Sequence, residues 1–191
     1  EELFNLIEER MESPGAQSGA VLYPTPGALL FGESAESGGR CFFSSAGAMG
    51  RCFSITGQKL YEWFADGTNI ERDSVAIDAN PATICTNGDG GNQLFITAGS
   101  NGYCYDLVTD TLTQVTELDG KATQGGFING YFLAFDALTR TVYQSDLYDG
   151  TVFDPLNFFQ RNTQPDDWLA MFVTSWGQIF LSGPKTRDYY Y

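Results

Sequence analysis

Apolar residues recur with period two along most of the chain. Phe53 and Ile55 share one parity, as do Leu94, Ile96 and Ala98, then Tyr131, Leu133 and Phe135, then Leu169, Met171 and Val173. This is the spacing of β-strands, whose successive side chains point to opposite faces. The opposite parity is often apolar too, at Phe132 and Ala134 or Ala170 and Phe172, which predicts strands covered on both faces.

Turn residues separate these runs at short intervals. Gly57-Gln58 lies between Cys52–Thr56 and Lys59–Trp63, with Gly where a type II′ turn wants it. Asn129-Gly130 joins 126–128 to Tyr131–Phe135, a strong hairpin signal. Trp176-Gly177 stands between 169–174 and 178–182, and Asp-Gly recurs at Asp66, Asp89, Asp119 and Asp149. Consecutive antiparallel hairpins follow. Two segments depart from this pattern. Leu3, Leu6, Ile7 and Met11 have helical spacing before Ser13-Pro14-Gly15 stops the element, and Asp154-Pro155 has the form of a helix N-cap before one short turn at 156–160.

The apolar runs centred on Phe53, Phe95, Phe132 and Phe180 are separated by 42, 37 and 48 residues, near the roughly 40 to 50 residues of a four-stranded propeller blade. A blade lies between two others, which accounts for apolar character on both faces. The expectation is an all-β chain, a β-propeller of consecutive hairpins. Residues 1–27 would form a leading extended segment and 28–191 about four blade-like units. Four such units and an aromatic end at Tyr189-Tyr190-Tyr191 suggest the N-terminal part of a single, longer propeller domain; the start, without Met or a basic leader, suggests trimming. A local echo relates Tyr105–Gln114 to Phe135–Gln144 at an offset of 30, either a true repeat or shared Asp/Thr turn chemistry.

Composition narrows the function. The 191 residues hold 24 acidic and 10 basic side chains, a formal charge of −14, and no histidine. A broad basic face for nucleic acid is excluded, and contact with anionic membrane is disfavoured for the same reason. Ser-His-Asp and Cys-His catalysis are closed off, along with the commonest nitrogen ligand for metals. No apolar run reaches the roughly 18 residues of a membrane span. Aromatic residues at 15% suit strands and a substantial core. Cys41, Cys52, Cys85 and Cys104 are too dispersed for a metal knuckle; Cys41 and Cys52 could bridge a hairpin, but reduced, buried thiols are the favoured state.

Candidate chemistry is sparse. Ser145–Phe153 resembles an Asp-box turn of sialidase-like propellers, but Gly150 follows Asp149 directly and the order fails. Asp106, Asp136, Asp146, Asp149, Asp166 and Asp167 could supply two carboxylates for glycoside hydrolysis, or could serve as hairpin caps. Asn87–Asn92 is oxygen-rich enough for calcium yet lacks the acids of an EF-hand, which favours a hairpin tip. Tyr61, Trp63, Tyr103, Tyr105 and Trp168 could stack on sugars or a partner, or pack between blades. No catalytic, cofactor or metal residue is assigned, and interface residues are left unspecified.

Leu22-Tyr23-Pro24-Thr25-Pro26-Gly27 and Ser145–Thr151 resemble the packaged-DNA stabilisation, or tail-hub, proteins of short-tailed bacteriophages. So do Asn5-Leu6, Gly57–Tyr61, Gly102-Tyr103 with Tyr105-Asp106, Asn129–Phe132, Pro165-Asp166-Asp167, and the closing Gly183, Thr186 and Tyr190, in order along nearly the whole chain. The resemblance implies a non-enzymatic virion protein of the phage tail, assembled in the host cytoplasm. It implies a propeller in a homo-oligomeric ring, a hexamer, below the portal and its adaptor proteins. That ring retains packaged DNA and attaches a tail needle or tailspikes. No cofactor, sequence-specific nucleic acid or membrane partner is implied. It also recasts 3–7 as an extended strand that latches the ring of blades, with Pro24 and Pro26 at an edge. Glu8, Glu9 and Glu12, and Pro184-Lys185, depart from the family pattern at places where partners could bind.

Two other readings stand beside this one. A carbohydrate-binding or carbohydrate-cleaving propeller would gather acids and aromatics on one rim. A cellular propeller adaptor is weakened by the absence of WD or kelch signatures.

Overall fold

The computed structural model describes residues 6–10, 20–24, 27, 29–88, 90–160, 166–174 and 176–190. The chain divides into two units, Glu1–Phe31 and Gly32–Tyr191. In the first, β1 (Leu6–Arg10) and β2 (Ala20–Pro24) pair antiparallel, from Leu6 opposite Pro24 to Arg10 opposite Ala20. The helical reading of the first segment is therefore wrong at residues 6–10, where backbone groups pair with β2. Leu3–Asn5, the rest of the expected latch strand, and Pro26 lie outside the described residues, as does Met11.

The second unit holds four antiparallel sheets in sequence order. Sheet one is β3 (Gly39–Ser44), β4 (Cys52–Thr56), β5 (Lys59–Trp63) and β6 (Asn69–Ser74). Sheet two is β7 (Thr83–Thr86), β8 (Gln93–Ala98), β9 (Asn101–Asp106) and β10 (Thr111–Val115). Sheet three is β11 (Gln124–Ile128), β12 (Tyr131–Asp136), β13 (Thr141–Asp146) and β14 (Asp149–Gln160). Sheet four has three described strands, β15 (Ala170–Val173), β16 (Ile179–Ser182) and β17 (Arg187–Tyr190). Each strand pairs with its neighbour in sequence, so every sheet is a meander. Phe53, Phe95, Phe132 and Phe180 all lie on the second strand of their sheets, so the spacing of about 40 residues is the blade repeat.

Three apolar cores bind the sheets in series. Phe53, Ile55 and Leu60 of sheet one meet Leu94, Ile96 and Tyr105 of sheet two. Phe95 and Cys104 face Phe132 and Phe153, and Leu133, Phe135 and Val142 face Met171, Ile179 and Leu181. Sheets two and three each have both faces buried, the physical origin of the doubled apolar parity.

The first strands form the inner edge of the stack: β3 neighbours β7, β7 neighbours β11, and β11 neighbours β15. Space is tight there. A Cβ on Gly125 would lie 3.1 Å from Phe95 and Thr83, and one on Gly126 would lie 2.6 Å from Val173 Cγ2. Side chains stitch the same edge. Thr83 Oγ1 accepts from Gly125 N at 2.8 Å, and Gln124 Oε1 accepts from Met171 N at 2.6 Å.

The turns largely follow sequence chemistry. Asn129 and Gly130 both have positive φ, 50° and 90°, as a type I′ hairpin requires, and Gly57 has φ 57°. Asp149-Gly150 is not a turn: the bend falls two residues earlier, at Leu147-Tyr148 with Tyr148 at φ 57°, and Gly150 is a strand residue against Phe132 and Cys104. The short helix expected at 156–160 is also absent. β14 runs through it, because Val142 pairs with Phe159 and Tyr143 with Phe158 while Ser145 pairs with Phe153. The surplus residues bulge outward, and Pro155 sits where a missing donor does no harm. Asp154 Oδ1 caps Leu156 N at 2.9 Å, so it caps a bulge.

The offset-30 echo is turn chemistry. Tyr105–Gln114 spans the third and fourth strands of sheet two, whereas Phe135–Gln144 spans the second and third of sheet three. Both hairpins carry an Asp accepting from the backbone N–H two residues on, Asp106 from Val108 and Asp136 from Leu138, and a positive φ at Asp110 and Arg140. All four cysteines are free thiols. Cys41 stands opposite Ile55 and Cys52 opposite Ser44, so the β3–β4 register does not set the two against each other.

Candidate functional site

The densest polar constellation among the described residues joins sheets one and two. Arg51, just before β4, donates from Nε to Glu62 Oε1 at 2.7 Å and from Nη2 to Glu62 Oε2 at 2.6 Å. Arg72 Nε donates to Glu62 Oε2 at 2.7 Å. Arg51 then crosses to sheet two, giving Nη2 to Asp110 Oδ1 at 2.7 Å and Nη1 to the Leu107 carbonyl at 2.8 Å. Tyr105 Oη also donates to Asp110, at 2.9 Å, and the guanidinium lies 5.1 Å from the Phe53 ring centroid.

Glu62 is 4% exposed. Burial would raise its carboxyl, but hydrogen bonds from Arg51 and Arg72 outweigh that and hold it below the ordinary value. Burial, with Asp110 as acceptor, pushes the Tyr105 hydroxyl up to about 12. Both Glu62 oxygens are engaged by guanidinium donors. The cluster is therefore a clamp between sheets and offers no free base. The sequence held one overlooked signal: Glu62 shares the inward parity of Leu60, and a charge on that parity demands buried partners.

A cleft of about 460 Å³ lies between the ends of sheets two and three, bordered by Asn87, Gln93, Asp106 and Tyr148. Its amides are already committed. Asn87 Oδ1 accepts from Gln93 N and its Nδ2 donates to the Tyr148 carbonyl, while Gln93 Oε1 accepts from Gly150 N and Nε2 donates to Asp149. The Asn87–Asn92 segment is thus a sheet-to-sheet tie; Asp89 within it lies outside the described residues. No group of three or more potential metal-ligating His, Cys, Asp or Glu residues occurs among the described residues.

The acids considered for hydrolysis are mostly spent on turns. Asp106 accepts from Val108 and Thr109 amides, Asp136 from Leu138 N and Thr139 Oγ1, and Asp149 from Thr151. Asp166 accepts from Thr186 N and Oγ1, and Asp167 pairs with Arg140 at 3.0 Å. Asp146 is exposed at the end of β13. Pro165 lies outside the described residues. Backbone hydrogen bonds from Thr109 and Val108 hold the Asp106 carboxyl low, as expected of a cap.

The aromatic candidates are buried except Trp63, which is half-buried. Tyr61, Tyr103, Tyr105 and Trp168 are buried. Tyr103 Oη accepts from Ala76 N, Trp63 Nε1 donates to Ser54 Oγ, and Trp168 Nε1 donates to Asp188. Ser145 Oγ, of the Asp-box-like segment, is a buried link that accepts from Phe132 N and donates to the Asp146 carbonyl. The exposed apolar side chains instead include Leu147 and Tyr148 at the β13–β14 hairpin and Leu156 on the β14 bulge, positions that polarity patterning had not singled out. No helix among the described residues is long and apolar enough to cross a membrane.

Residues 3–189 match the phage-stabilisation family model described as "Bacteriophage P22 Gp10, beta-propeller". No curated protein sequence matches the chain. Among solved structures, a streptogramin B lyase is similar at TM-score 0.57 and 12% identity, covering 97% of this chain and 61% of the lyase. Virginiamycin B lyase from Staphylococcus aureus is similar at TM-score 0.54 and 12% identity, over 93% of this chain and 56% of that one. The N-terminal domain of Nup159 is similar at 0.52 and 13%, over 79% and 43%. The chain thus spans about half the length of such structures, and at these identities the likeness concerns the fold alone.

Proposed function

The chain belongs to the bacteriophage P22 Gp10 β-propeller family of phage stabilisation proteins, and from that premise we propose that it is a non-enzymatic tail-hub component. In this reading it assembles below the portal and adaptor, as a ring with like chains, retains packaged DNA, and offers attachment to a needle or tailspikes. The observation that carries the reading is the family match along residues 3–189. The structure is compatible in chemistry: its buried charges clamp sheets together, its turn acids cap backbone, and the sequence has no histidine.

The −14 charge suits a protein beside passing DNA without adhesion. Among β3, β7, β11 and β15 the only charged residue is Arg40. In this proposal the four sheets are part of a ring that further sheets complete.

Electron microscopy of native particles, with and without the gene, tests the proposal. Density for the propeller at the tail vertex and loss of packaged DNA without it are expected. Full DNA retention in particles lacking the protein would overturn the role. Retarded duplex DNA in a gel at about 0.15 M salt would overturn the non-adhesive account.

A further inference from the structure

Glu62 and Gln144 hold corresponding places in two sheets. Glu62, on the third strand of sheet one, stands opposite Phe53, and Gln144, on the third strand of sheet three, stands opposite Leu133. In both sheets that face looks onto the next one: Phe53 packs with Leu94 and Tyr105 of sheet two, and Leu133 with Met171, Ile179 and Leu181 of sheet four. A polar group on such a face needs partners. Glu62 has them in Arg51 and Arg72, and Arg51 reaches on to Asp110 of sheet two. The Gln144 side-chain amide makes no hydrogen bond among the described residues.

Gln144 instead borders a pocket of about 300 Å³ between sheets three and four. Leu133, Phe159 and Ile179 supply apolar wall, and Tyr131 and Asn129 also border it. Leu133 and Ile179 belong to the core that the two sheets share, so the pocket opens from inside the stack. The β14 bulge makes the room. Tyr143 pairs with Phe158 and Ser145 with Phe153, which leaves no residue of β14 opposite Gln144, and residues 154–157 are carried outward and exposed. Bulges re-aim side chains in this way beside functional sites.

No charged residue borders the pocket, although the chain carries a formal charge of −14. Its polar groups are amides and a phenol, each able both to donate and to accept. Apolar walls with a few converging polar groups are the make-up of a small-molecule site. The cleft between sheets two and three lacks that make-up, because its amides are bonded to protein. We propose that the pocket binds a small uncharged ligand. Its apolar body lies against Leu133, Phe159 and Ile179, and a neutral donor–acceptor group of the carboxamide kind meets the Gln144 amide. Two amides can exchange N–H···O bonds in both directions, which gives Gln144 the partners that Glu62 finds within the protein. A charged ligand would lose its water there and gain no counter-charge.

The test titrates the 191-residue chain with benzamide and follows its methyl NMR signals. Benzamide should shift Leu133 and Ile179, with a dissociation constant on the order of 1 mM or tighter. Benzoate and benzamidine, its charged relatives, should bind about tenfold or more weakly. Gln144→Met keeps the side-chain volume and removes the amide; it should weaken benzamide about three- to tenfold and leave toluene binding unchanged. Gln144→Glu provides a second reading at the same size, since its carboxylate should reverse the order and favour benzamidine. The NMR spectrum of each variant reports whether the fold is kept. Absence of shifts at Leu133 and Ile179 would overturn the proposal. So would equal affinity of Gln144→Met for benzamide, or benzoate binding as tightly as benzamide.

Discussion

Arg51 and Asp110 are 59 residues apart in sequence and 2.7 Å apart in space. Arg51 brings together Glu62, which is buried, and Asp110, whose side chain is 38% exposed. Replacing Arg51 by Met should cost about 3 kcal/mol, because it removes one partner from a buried carboxylate. Asp110→Ala should cost about 1 kcal/mol or less, as for a pair open to solvent. Urea unfolding of the two variants measures both losses, and equal losses would contradict the buried role of Glu62.

The pH dependence of stability follows from shifts of both signs. Glu62, Asp106, Asp110 and Asp149 titrate below their ordinary values of 4.5 and 3.8 in the folded chain. They contribute stability above those values, and it is lost as pH falls through the lower folded values. Burial raises the Cys104 thiol from 9.0 to about 12, and Tyr105 rises from 10.0 to about 12. These contribute stability that is full below 9.0 and 10.0 respectively and is lost as pH rises toward about 12. With no histidine in the chain, the melting temperature should be flat between about pH 6 and 8. A step within that window would require another titrating group.

Gly126→Ala should destabilise the stack by about 1 to 3 kcal/mol through overpacking. The new methyl would meet Val173 Cγ2 on the neighbouring sheet at 2.6 Å. Pairing it with Val173→Ala should recover part of the loss in thermal unfolding. A neutral Gly126→Ala would show that the inner edge is looser than described.

Asp136 and Asp146 separate capping from exposure. Asp136 is 2% exposed and accepts from Leu138 N and Thr139 Oγ1, so Asp136→Ala should cost about 2 kcal/mol. Asp146 is exposed, and Asp146→Ala should stay within about 0.5 kcal/mol. Chemical denaturation distinguishes the two; a reversed order would mean that the carboxylates have been assigned the wrong work.

Much of the architecture was legible in the chain because hairpins are local. Period-two patterning located the second strands, and Asn129-Gly130 and Gly57-Gln58 marked turns that do bend there. The misreadings are instructive. Asp154-Pro155 carries local helix-start chemistry, yet the pairing of Phe158 and Phe159 with Tyr143 and Val142 extends β14 through it. Asp149-Gly150 has the composition of a turn, but its glycine is required by the approach of Phe132 and Cys104. The clamp was nearly invisible, since Arg51, Glu62, Arg72 and Asp110 meet only when two sheets stack.

By itself the sequence determined most of the strands, their hairpin order, the blade spacing and the exclusion of histidine chemistry. These follow from side-chain alternation and turn preferences that act over a few residues. Only the tertiary structure decided which acids are caps and which belong to the clamp, and which aromatics are core. Those depend on contacts between residues tens of positions apart, such as Arg51 with Asp110.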